Sequence, residues 1–193
     1  SASLPSAAPP PTASGEPVAA LPPAENAENI IGNFTSSTTL IEYSDFECPA
    51  CAAAEPTVRA LREEFGGQVR FVYRQFPLMG HSLSRPAAAE AAGKQGKFWE
   101  MHDTLFANQR AWSGDTKGAE ETFKRFAANL GLDANKFTSD LNSSEIKNKI
   151  QASVDEATRA GVNGTPWFYL NGTKLNIQRF SDLTDAVRAA VQK

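Results

Sequence analysis

Two cysteines lie three residues apart, and they are the only cysteines in the 193-residue chain. They occupy the stretch Cys48-Pro49-Ala50-Cys51, and thiols at this spacing can take up and release electrons by breaking and forming a disulfide. At positions i and i+3 of a helix they share one face, so the two sulfurs can be joined. The spacing therefore predicts redox chemistry at a Cys48–Cys51 pair.

The elements around the pair should place Cys48 at the start of a helix. β-branched and aromatic residues at Thr38–Tyr43 predict a buried strand, and the alanine-rich run after Cys51 predicts a helix to about Phe65. Pro49 suits the first helical position, where an N–H is not needed. Unpaired N–H groups and the positive end of the helix dipole favour a thiolate there. We therefore expect Cys48 to be reactive.

Two other uses of the cysteines are open. A structural disulfide between them would close almost no loop and would stabilise little. A zinc site needs four ligands at close spacing, and only His81 and His102 could complete one. His102 lies beside an apolar stripe typical of a packed helix, and His81 lies in a Gly-His-Ser turn to which we assign no role. Redox chemistry is therefore favoured.

Composition and charge fit one domain, or one domain with an insertion. Hydrophobic residues make up 41% of the chain, which is ample for a core, and the formal net charge is −3. The charge gives no indication of nucleic-acid binding, and no apolar run approaches the length of a membrane span. The sequence begins at Ser1 rather than methionine, so we expect an upstream segment, either a cleaved signal or a membrane anchor.

Residues 1–28 are expected to lie outside the fold. They contain seven of the twelve prolines and little that is large and apolar, so they cannot bury enough surface to offset the entropy of ordering. A Pro/Ala-rich stretch behaves as a semi-stiff spacer, which suggests a tether to a membrane. A disordered tail without a role remains the alternative.

The remaining chain predicts a strand, a long helical region and a return to strands. Val69–Tyr73 reads as a second buried strand, parallel to the first because a helix connects them. The strand from Gly164 ends at the turn Asn171-Gly172, and Thr173–Ile177 reads as the return strand. Four residues are expected to cap helices, namely Ser84, Asp133, Ser144 and Ser181.

Three motifs in a fixed order resemble one family. Leu40–Phe46 precedes the cysteine pair, a helical stretch follows, and Gly161–Pro166 comes near the end. Over about residues 30 to 192 the sequence resembles the DsbA-like thiol–disulfide oxidoreductases of the thioredoxin superfamily. The resemblance implies an α/β thioredoxin fold, a central mixed sheet flanked by helices, with an inserted α-helical domain. Its parts would be 29–78 and 161–193 for the thioredoxin fold and 79–160 for the insertion.

The resemblance also implies site residues. Cys48 would be the exposed nucleophile and Cys51 its buried partner. Pro166 would be cis and face the disulfide, and Thr165 would offer backbone hydrogen bonds to substrate. Glu42 falls where thioredoxin-fold proteins keep a buried acid that moves protons for the second cysteine. A carboxylate in a buried strand is costly unless it is functional or paired, which favours this role over a surface carboxylate.

The implied activity is the introduction of disulfides into secreted or extracytoplasmic proteins. Substrates would be reduced polypeptides, and a quinone-linked membrane protein would reoxidise a monomeric enzyme that needs no cofactor beyond the Cys48–Cys51 disulfide. Well-known members carry histidine where this chain has Ala50, so we expect a milder oxidant. The alternatives are a reductase or an isomerase on the same fold, or a non-catalytic binding module or chaperone. An extracytoplasmic location, in the periplasm or cell envelope, fits stable net oxidation.

Overall fold

In the part of the chain that the structure describes, five strands form one mixed sheet at the centre of the molecule. The computed structural model describes residues 21–24 and 27–193. The strands are β1 (Ile30–Gly32), β2 (Thr39–Ser44), β3 (Arg70–Gln75), β4 (Trp167–Leu170) and β5 (Thr173–Lys174). Their spatial order is β1-β3-β2-β4-β5. Strands β2 and β3 are parallel, as the sequence predicted, and the other three pairs are antiparallel.

Eight helices accompany the sheet in the described part of the chain. They are α1 (Pro49–Phe65), α2 (Ser84–Gly93), α3 (Phe98–Ala107), α4 (Gln109–Trp112), α5 (Ala119–Asn129), α6 (Ala134–Leu141), α7 (Ser144–Arg159) and α8 (Phe180–Val191). None of them is long and apolar enough to cross a membrane. Helices α2 to α7 fall within 79–160, whereas the strands, α1 and α8 fall within 29–78 and 161–193.

Strand β2 lies in the middle of the sheet, and all six of its residues are buried. Successive side chains of a strand point to opposite faces. Leu40 packs on one face with residues of α1 and α8. Ile41 and Tyr43 pack on the other face with Ala157 of α7. Glu42 therefore shares the face of Leu40, beneath α1, which is the helix that carries both cysteines.

The helical region has its own core, which reaches the cysteines. Large side chains from α4, α5 and α6 are fully buried in it, namely Trp112, Phe123 and Phe137. Phe46, Cys48 and Cys51 belong to the same cluster. The helical region therefore forms one wall of the cysteine site.

Two predicted helix caps in the helical region are wrong by one residue, and a third, at the start of α8, is wrong by two. Helix α2 has Leu83 rather than Ser84 at its N-cap. Helix α7 is capped by Ser143, whose hydroxyl accepts from the Ile146 N–H at 3.3 Å. Ser143 and Ser144 are equally good caps by residue type, so local preference could not separate them. The Asp133 cap is confirmed, with Oδ1 accepting from the Lys136 N–H at 2.7 Å.

The C-terminal elements also differ from the prediction in their limits. Helix α8 begins after Arg179 rather than Ser181, because the Asp182 carboxylate accepts from the N–H groups of Gln178 and Arg179 at 3.0 and 2.9 Å. Strand β5 ends at Lys174, short of the predicted limit Ile177. Leu175 and Ile177 instead pack against the core formed with α8.

The predicted tether, residues 1–28, lies mostly outside the described residues. Of its last part, Leu21, Ala24 and Ala27 pack against the core on the α7 side of the sheet. Arg74 of β3 donates to the Pro22 carbonyl at 2.6 Å. Contact with the domain thus begins at least as early as Leu21, before the predicted start at Asn29.

Candidate active site

Cys48 occupies the junction between strand β2 and helix α1. Its backbone is extended, with φ −77° and ψ 120°, and it caps the helix. The Cys51 N–H donates to the Cys48 sulfur at 3.4 Å, and Pro49 follows as the first helical residue. The Cys48 N–H donates to the Asp45 carbonyl at 3.0 Å. The position that the sequence predicted, at a helix N-terminus, is therefore confirmed.

The two sulfurs differ in access, though less than expected. Both cysteines are free thiols. Cys51 is 0% exposed, and Cys48 is 6% exposed, next to the solvent-exposed Pro49 and Ala50. The expectation of an exposed Cys48 is thus wrong in degree, because its sulfur turns inward to face the Thr165 carbonyl at 3.7 Å.

Thr165 and Pro166 reach Cys48 from 117 residues away along the chain. The peptide bond between them is cis, the conformation that the resemblance implied. The Thr165 hydroxyl is buried and, among the described residues, has no hydrogen bond of regular geometry. It nevertheless lies close enough to both sulfurs to lower the pKa of each. Thr165 therefore presents its side chain as well as its backbone to the cysteines.

A groove of about 390 Å³ begins at Pro166. Its walls are the strands β4 and β5 and the loop that leads to α8. Lys174 places its ammonium 3.7 Å from the ring centroid of Trp167 in one wall, and Phe180, a partly exposed aromatic residue, lies in another. The groove is open and partly apolar, which suits an extended peptide.

The two thiols have opposite proton affinities. A hydrogen bond from the Cys51 thiol is the largest of several effects that lower the pKa of Cys48 to about 5, against the opposing effect of burial. Burial, followed by the same hydrogen bond, raises the pKa of Cys51 far above its usual range. Cys48 is therefore a thiolate over the physiological range, while Cys51 keeps its proton.

Glu42 is buried beneath the cysteines. The residue is 5% exposed, which excludes the alternative of a surface carboxylate. The pKa of Glu42 is raised to about 8, first by burial and second by the charge of Glu55. Ser44 and Arg62 act in the opposite direction and lower it. Glu42 therefore carries a proton when the solution is neutral.

Ser44 connects Glu42 to Cys51. Strand register places Glu42 beside Tyr73 of β3, and Ser44 lies two residues along the same face. Within the described residues the hydroxyls of Ser44 and Tyr73 are buried without a regular hydrogen-bond partner. The Ser44 hydroxyl lowers the pKa of both Glu42 and Cys51, so it lies near each. We call Cys51, Ser44 and Glu42 the inner half of the site, and Cys48, Thr165 and Pro166 the outer half.

Two residues that the sequence did not indicate contact the turn Asp45–Cys48, which we call the Cys48 turn. Gln109, buried on α4, donates its amide to the carbonyls of Phe46 and Cys48 at 2.7 and 3.0 Å. His81, to which no role was assigned, lies 2.5 Å from the Asp45 carboxylate through Nδ1. A lone glutamine in a four-residue helix has no distinguishing pattern, and the Gly-His-Ser turn gave no indication of its partner.

One cluster of possible metal ligands occurs among the described residues, and it contains neither cysteine. Its members are Glu55, His102 and Asp103. The Arg62 guanidinium already donates to both carboxylates at 3.0 Å, which places a positive charge where a metal ion would bind. His102 is fully buried among aromatic rings, as expected for a packed histidine.

Comparison with known proteins identifies the family. A sequence model described as thioredoxin matches residues 25–189. The chain is 32% identical to a solved thioredoxin-like oxidoreductase from Silicibacter pomeroyi, with a TM-score of 0.69, over 85% of this chain and 92% of that one. It shares its fold with alpha-DsbA1 from Wolbachia pipientis, at 20% identity and a TM-score of 0.77, over 89% of this chain and 94% of that one.

The chain also resembles one region of much longer proteins. It is 40% identical over 150 residues to a protein named Na(+)/H(+) antiporter NhaA 1 from Salinispora arenicola. The match covers 76% of this chain and 22% of that protein. The chain therefore spans about a fifth of the length of this curated relative.

Proposed function

The chain belongs to the thioredoxin family and has the DsbA-like fold of thiol–disulfide oxidoreductases, and from this we propose that it introduces disulfides into extracytoplasmic polypeptides through Cys48 and Cys51. The observation that carries the proposal is the opposite effect of one environment on two neighbouring thiols. The pKa of Cys48 is lowered to about 5, whereas that of Cys51 is raised.

The first step is attack on the oxidised pair. A substrate thiolate attacks the Cys48 sulfur, the Cys48–Cys51 bond breaks, and Cys51 leaves with the electron pair. Because the pKa of Cys51 is raised, this sulfur is a poor leaving group unless it takes up a proton at once. Glu42, protonated and next to Ser44, is placed to supply that proton. Glu42 then recovers a proton from solvent.

The second step releases the substrate. A second substrate thiolate attacks the substrate sulfur of the mixed disulfide, and Cys48 departs as a thiolate. A thiol of low pKa is a good leaving group, so the hydrogen bond from Cys51 that stabilises Cys48 also favours release. Two electrons pass from the substrate dithiol to the pair, which ends as the Cys48 thiolate and the Cys51 thiol.

The direction of net flow follows from the same low pKa. Stabilising the Cys48 thiolate stabilises the reduced protein, which makes the disulfide an oxidant. A reductase would instead require a disulfide more stable than that of glutathione. A non-catalytic binding module is less favoured, since it does not explain why Cys48 alone should be held as a thiolate. An isomerase would also use the Cys48 thiolate, to attack mispaired disulfides, but it would bring about no net oxidation of a reduced substrate.

The substrate and the cellular setting are part of the proposal. The groove that begins at Pro166 suits an extended polypeptide, whose backbone can pair with the Thr165 backbone as an added strand. Net oxidation needs a compartment outside the cytoplasm and an acceptor for the electrons, for which a quinone-linked membrane protein is the expected partner. The enzyme would act as a monomer, without a bound cofactor.

The proposal is tested by two measurements on one preparation. The Cys48/Cys51 pair is equilibrated with glutathione, and oxidation of a reduced, unfolded test protein is followed. We expect a potential more oxidising than that of thioredoxin, and oxidation that Cys48→Ser abolishes. A potential at or below that of thioredoxin would favour the reductase. The binding module would be favoured by two results together. The native protein would not oxidise the test protein, and the Cys48→Ser variant would prevent aggregation of the test protein as well as the native protein does.

A second candidate function is the redox control of a membrane transporter. One observation favours it, namely that a region 40% identical to this chain forms part of a protein named as a sodium/proton antiporter. The two candidates differ in substrate, because a transporter would offer cysteines in a folded membrane protein. Cys51→Ser should trap mixed disulfides in cells, and mass spectrometry of the partners separates many secreted polypeptides from a single transporter.

A further inference from the structure

His81 lies at the end of a turn that is fastened to one carboxylate. The His81 N–H donates to the Leu78 carbonyl at 3.0 Å, which closes the turn. The Leu78 N–H donates to Asp45 Oδ2 at 3.0 Å, and His81 Nδ1 donates to the same oxygen at 2.5 Å. The Asp45 residue is only 2% exposed, whereas the His81 side chain is 33% exposed. A buried acceptor thus holds an imidazole that can exchange protons with solvent.

The same Asp45 also shapes the turn that presents the nucleophile. Its Oδ1 accepts from the Glu47 N–H at 2.9 Å, and its carbonyl accepts from the Cys48 N–H at 3.0 Å. Asp45 therefore ties the His81 turn to the Cys48 turn across 36 residues of sequence. His81 and the segment that carries Cys48 are therefore held by the same aspartate.

The charges around the ring favour its protonated form. The hydrogen bond to Asp45 is the largest cause that raises the pKa of His81, and the charges of Asp45, Glu47 and the Cys48 sulfur act in the same direction, against partial burial. From helix α2, Arg85 lies 3.7 Å from Glu47 and offsets part of its charge. The imidazolium therefore persists above the pH at which a free histidine would lose its proton.

We propose that His81 is a positioning residue of the Cys48 site and supplies the positive charge that stabilises its thiolate. The proposal rests on the proposed role of Cys48 as the reactive thiol. Pro49 and Ala50, the residues between the cysteines, carry no charge. The charge arrives from another part of the chain, and unlike a lysine or an arginine it can be switched off by pH.

The pH dependence has a definite sign. Between about pH 5, where Cys48 ionises, and the raised pKa of His81, the thiolate and the imidazolium coexist. Above the pKa of His81 the ring becomes neutral and the thiolate loses a favourable partner. The extra stabilisation of the reduced protein is thus greatest in mildly acid solution and fades as the pH rises through the pKa of His81.

The test compares His81→Gln, which removes the charge, with His81→Lys, which keeps it at every working pH. Lys147→Gln removes an exposed positive charge from α7 and is the control. The pKa of Cys48 is measured from thiolate absorbance, and the equilibrium with glutathione is measured from about pH 6 to about pH 9. We expect His81→Gln to raise the pKa of Cys48 by roughly half a unit to one unit, and to shift the glutathione equilibrium three- to tenfold toward the disulfide at the acid end only.

The variants should separate charge from structure. His81→Lys should keep the low pKa of Cys48 and lose the inflection with pH, and Lys147→Gln should match the native protein. A native-like Cys48 pKa in His81→Gln, or an effect of equal size at both ends of the pH range, would overturn the role of His81 while leaving Cys48 as the reactive thiol. An ordinary Cys48 pKa in the native protein would overturn both proposals.

A reciprocal measurement leaves His81 in place. Coupling between two sites is mutual, so removing the thiolate must lower the pKa of His81 as much as removing the imidazolium raises that of Cys48. The ring is titrated by NMR in the reduced native protein and in Cys48→Ala. We expect the pKa of His81 to fall by roughly half a unit to one unit in the variant. An unchanged His81 titration would refute the coupling.

Discussion

The outer and inner halves of the site show how one helix turn can hold two thiols in opposite states. The Cys51 thiol is the main hydrogen-bond donor to Cys48, followed by the Thr165 side chain and the N–H groups at the start of α1, and together they lower its pKa to about 5. Cys51, three residues on, is fully buried, and burial raises its pKa. The difference indicates that access to hydrogen-bond donors and to water, rather than residue type, determines which sulfur is the reactive thiolate.

The largest expected contrast between the two halves is in alkylation. At about pH 6 most of Cys48 is a thiolate and almost none of Cys51 is, so reduced protein treated with iodoacetamide should be labelled at Cys48 at least about a hundredfold faster. The rate at Cys48 should rise through pH 5 and then level off. Peptide mapping by mass spectrometry measures both sites, and comparable labelling of Cys51 would remove the contrast.

Replacing Glu42, the acid of the inner half, should change how the stability of the fold depends on pH. The pKa of Glu42 is about 8 in the fold against 4.5 as the ordinary value, so the fold loses stability as the pH rises from about 4.5 to 8. Glu42→Gln does not ionise and should be more stable than the native protein by on the order of 3 kcal/mol at about pH 7, with no gain near pH 4. Urea unfolding at both pH values measures it. The exposed Glu63→Gln on α1 is the control, and a pH-independent gain would contradict the explanation.

The outer half should make the reduced protein more stable than the oxidised one. A Cys48 pKa lowered to about 5 adds stability to the dithiol form as the pH rises from about 5, and this is lost as the pH falls through that value. At about pH 7 the advantage should be about 3 kcal/mol, or roughly 8 °C in Tm. Thermal melts of both forms at pH values above and below 5 test it. A higher Tm for the oxidised form at neutral pH would favour the reductase.

The smallest expected effect concerns the support of the Cys48 turn. Gln109→Ala leaves the carbonyls of Phe46 and Cys48 without their buried donor, which should cost about 1 to 2 kcal/mol. Cys48 alkylation should change only a few-fold. The matched variant Gln151→Ala, on the exposed side of α7, should unfold like the native protein. Equal stability of the two variants would show that Gln109 is dispensable for the turn.

Local patterns were sufficient to predict the elements that carry the cysteines. Strand β2, helix α1 and the parallel strand β3 follow from β-branched residues, an alanine-rich run and a single crossover. The buried position of Glu42 follows from the same pattern. Thr165 could be placed near Cys48 only through the resemblance to a family, because no local signal joins residues 117 positions apart.

The contacts that escaped prediction are long-range and involve common chemical groups. Gln109 reaches Phe46 across 63 residues, and His81 reaches Asp45 across 36. Arg74 bonds to the Pro22 carbonyl, an acceptor that every residue offers, so nothing in the composition of residues 1–28 marks that contact. Such pairs depend on how finished elements pack, which periodicity and propensity do not encode.

The two edges of the sheet have a consequence for a protein proposed to work among unfolded chains. Edge strand β1 has three residues and edge strand β5 has two. At the end of β1, Gly32 has φ +92°, and a β-carbon there would lie 2.4 Å from the Val69 carbonyl oxygen. Short edges offer few free backbone groups for another chain to pair with, which disfavours aggregation. A protein with the proposed function would therefore meet extended, reduced polypeptides at Cys48 while the edges of its own sheet offer them few backbone groups to pair with.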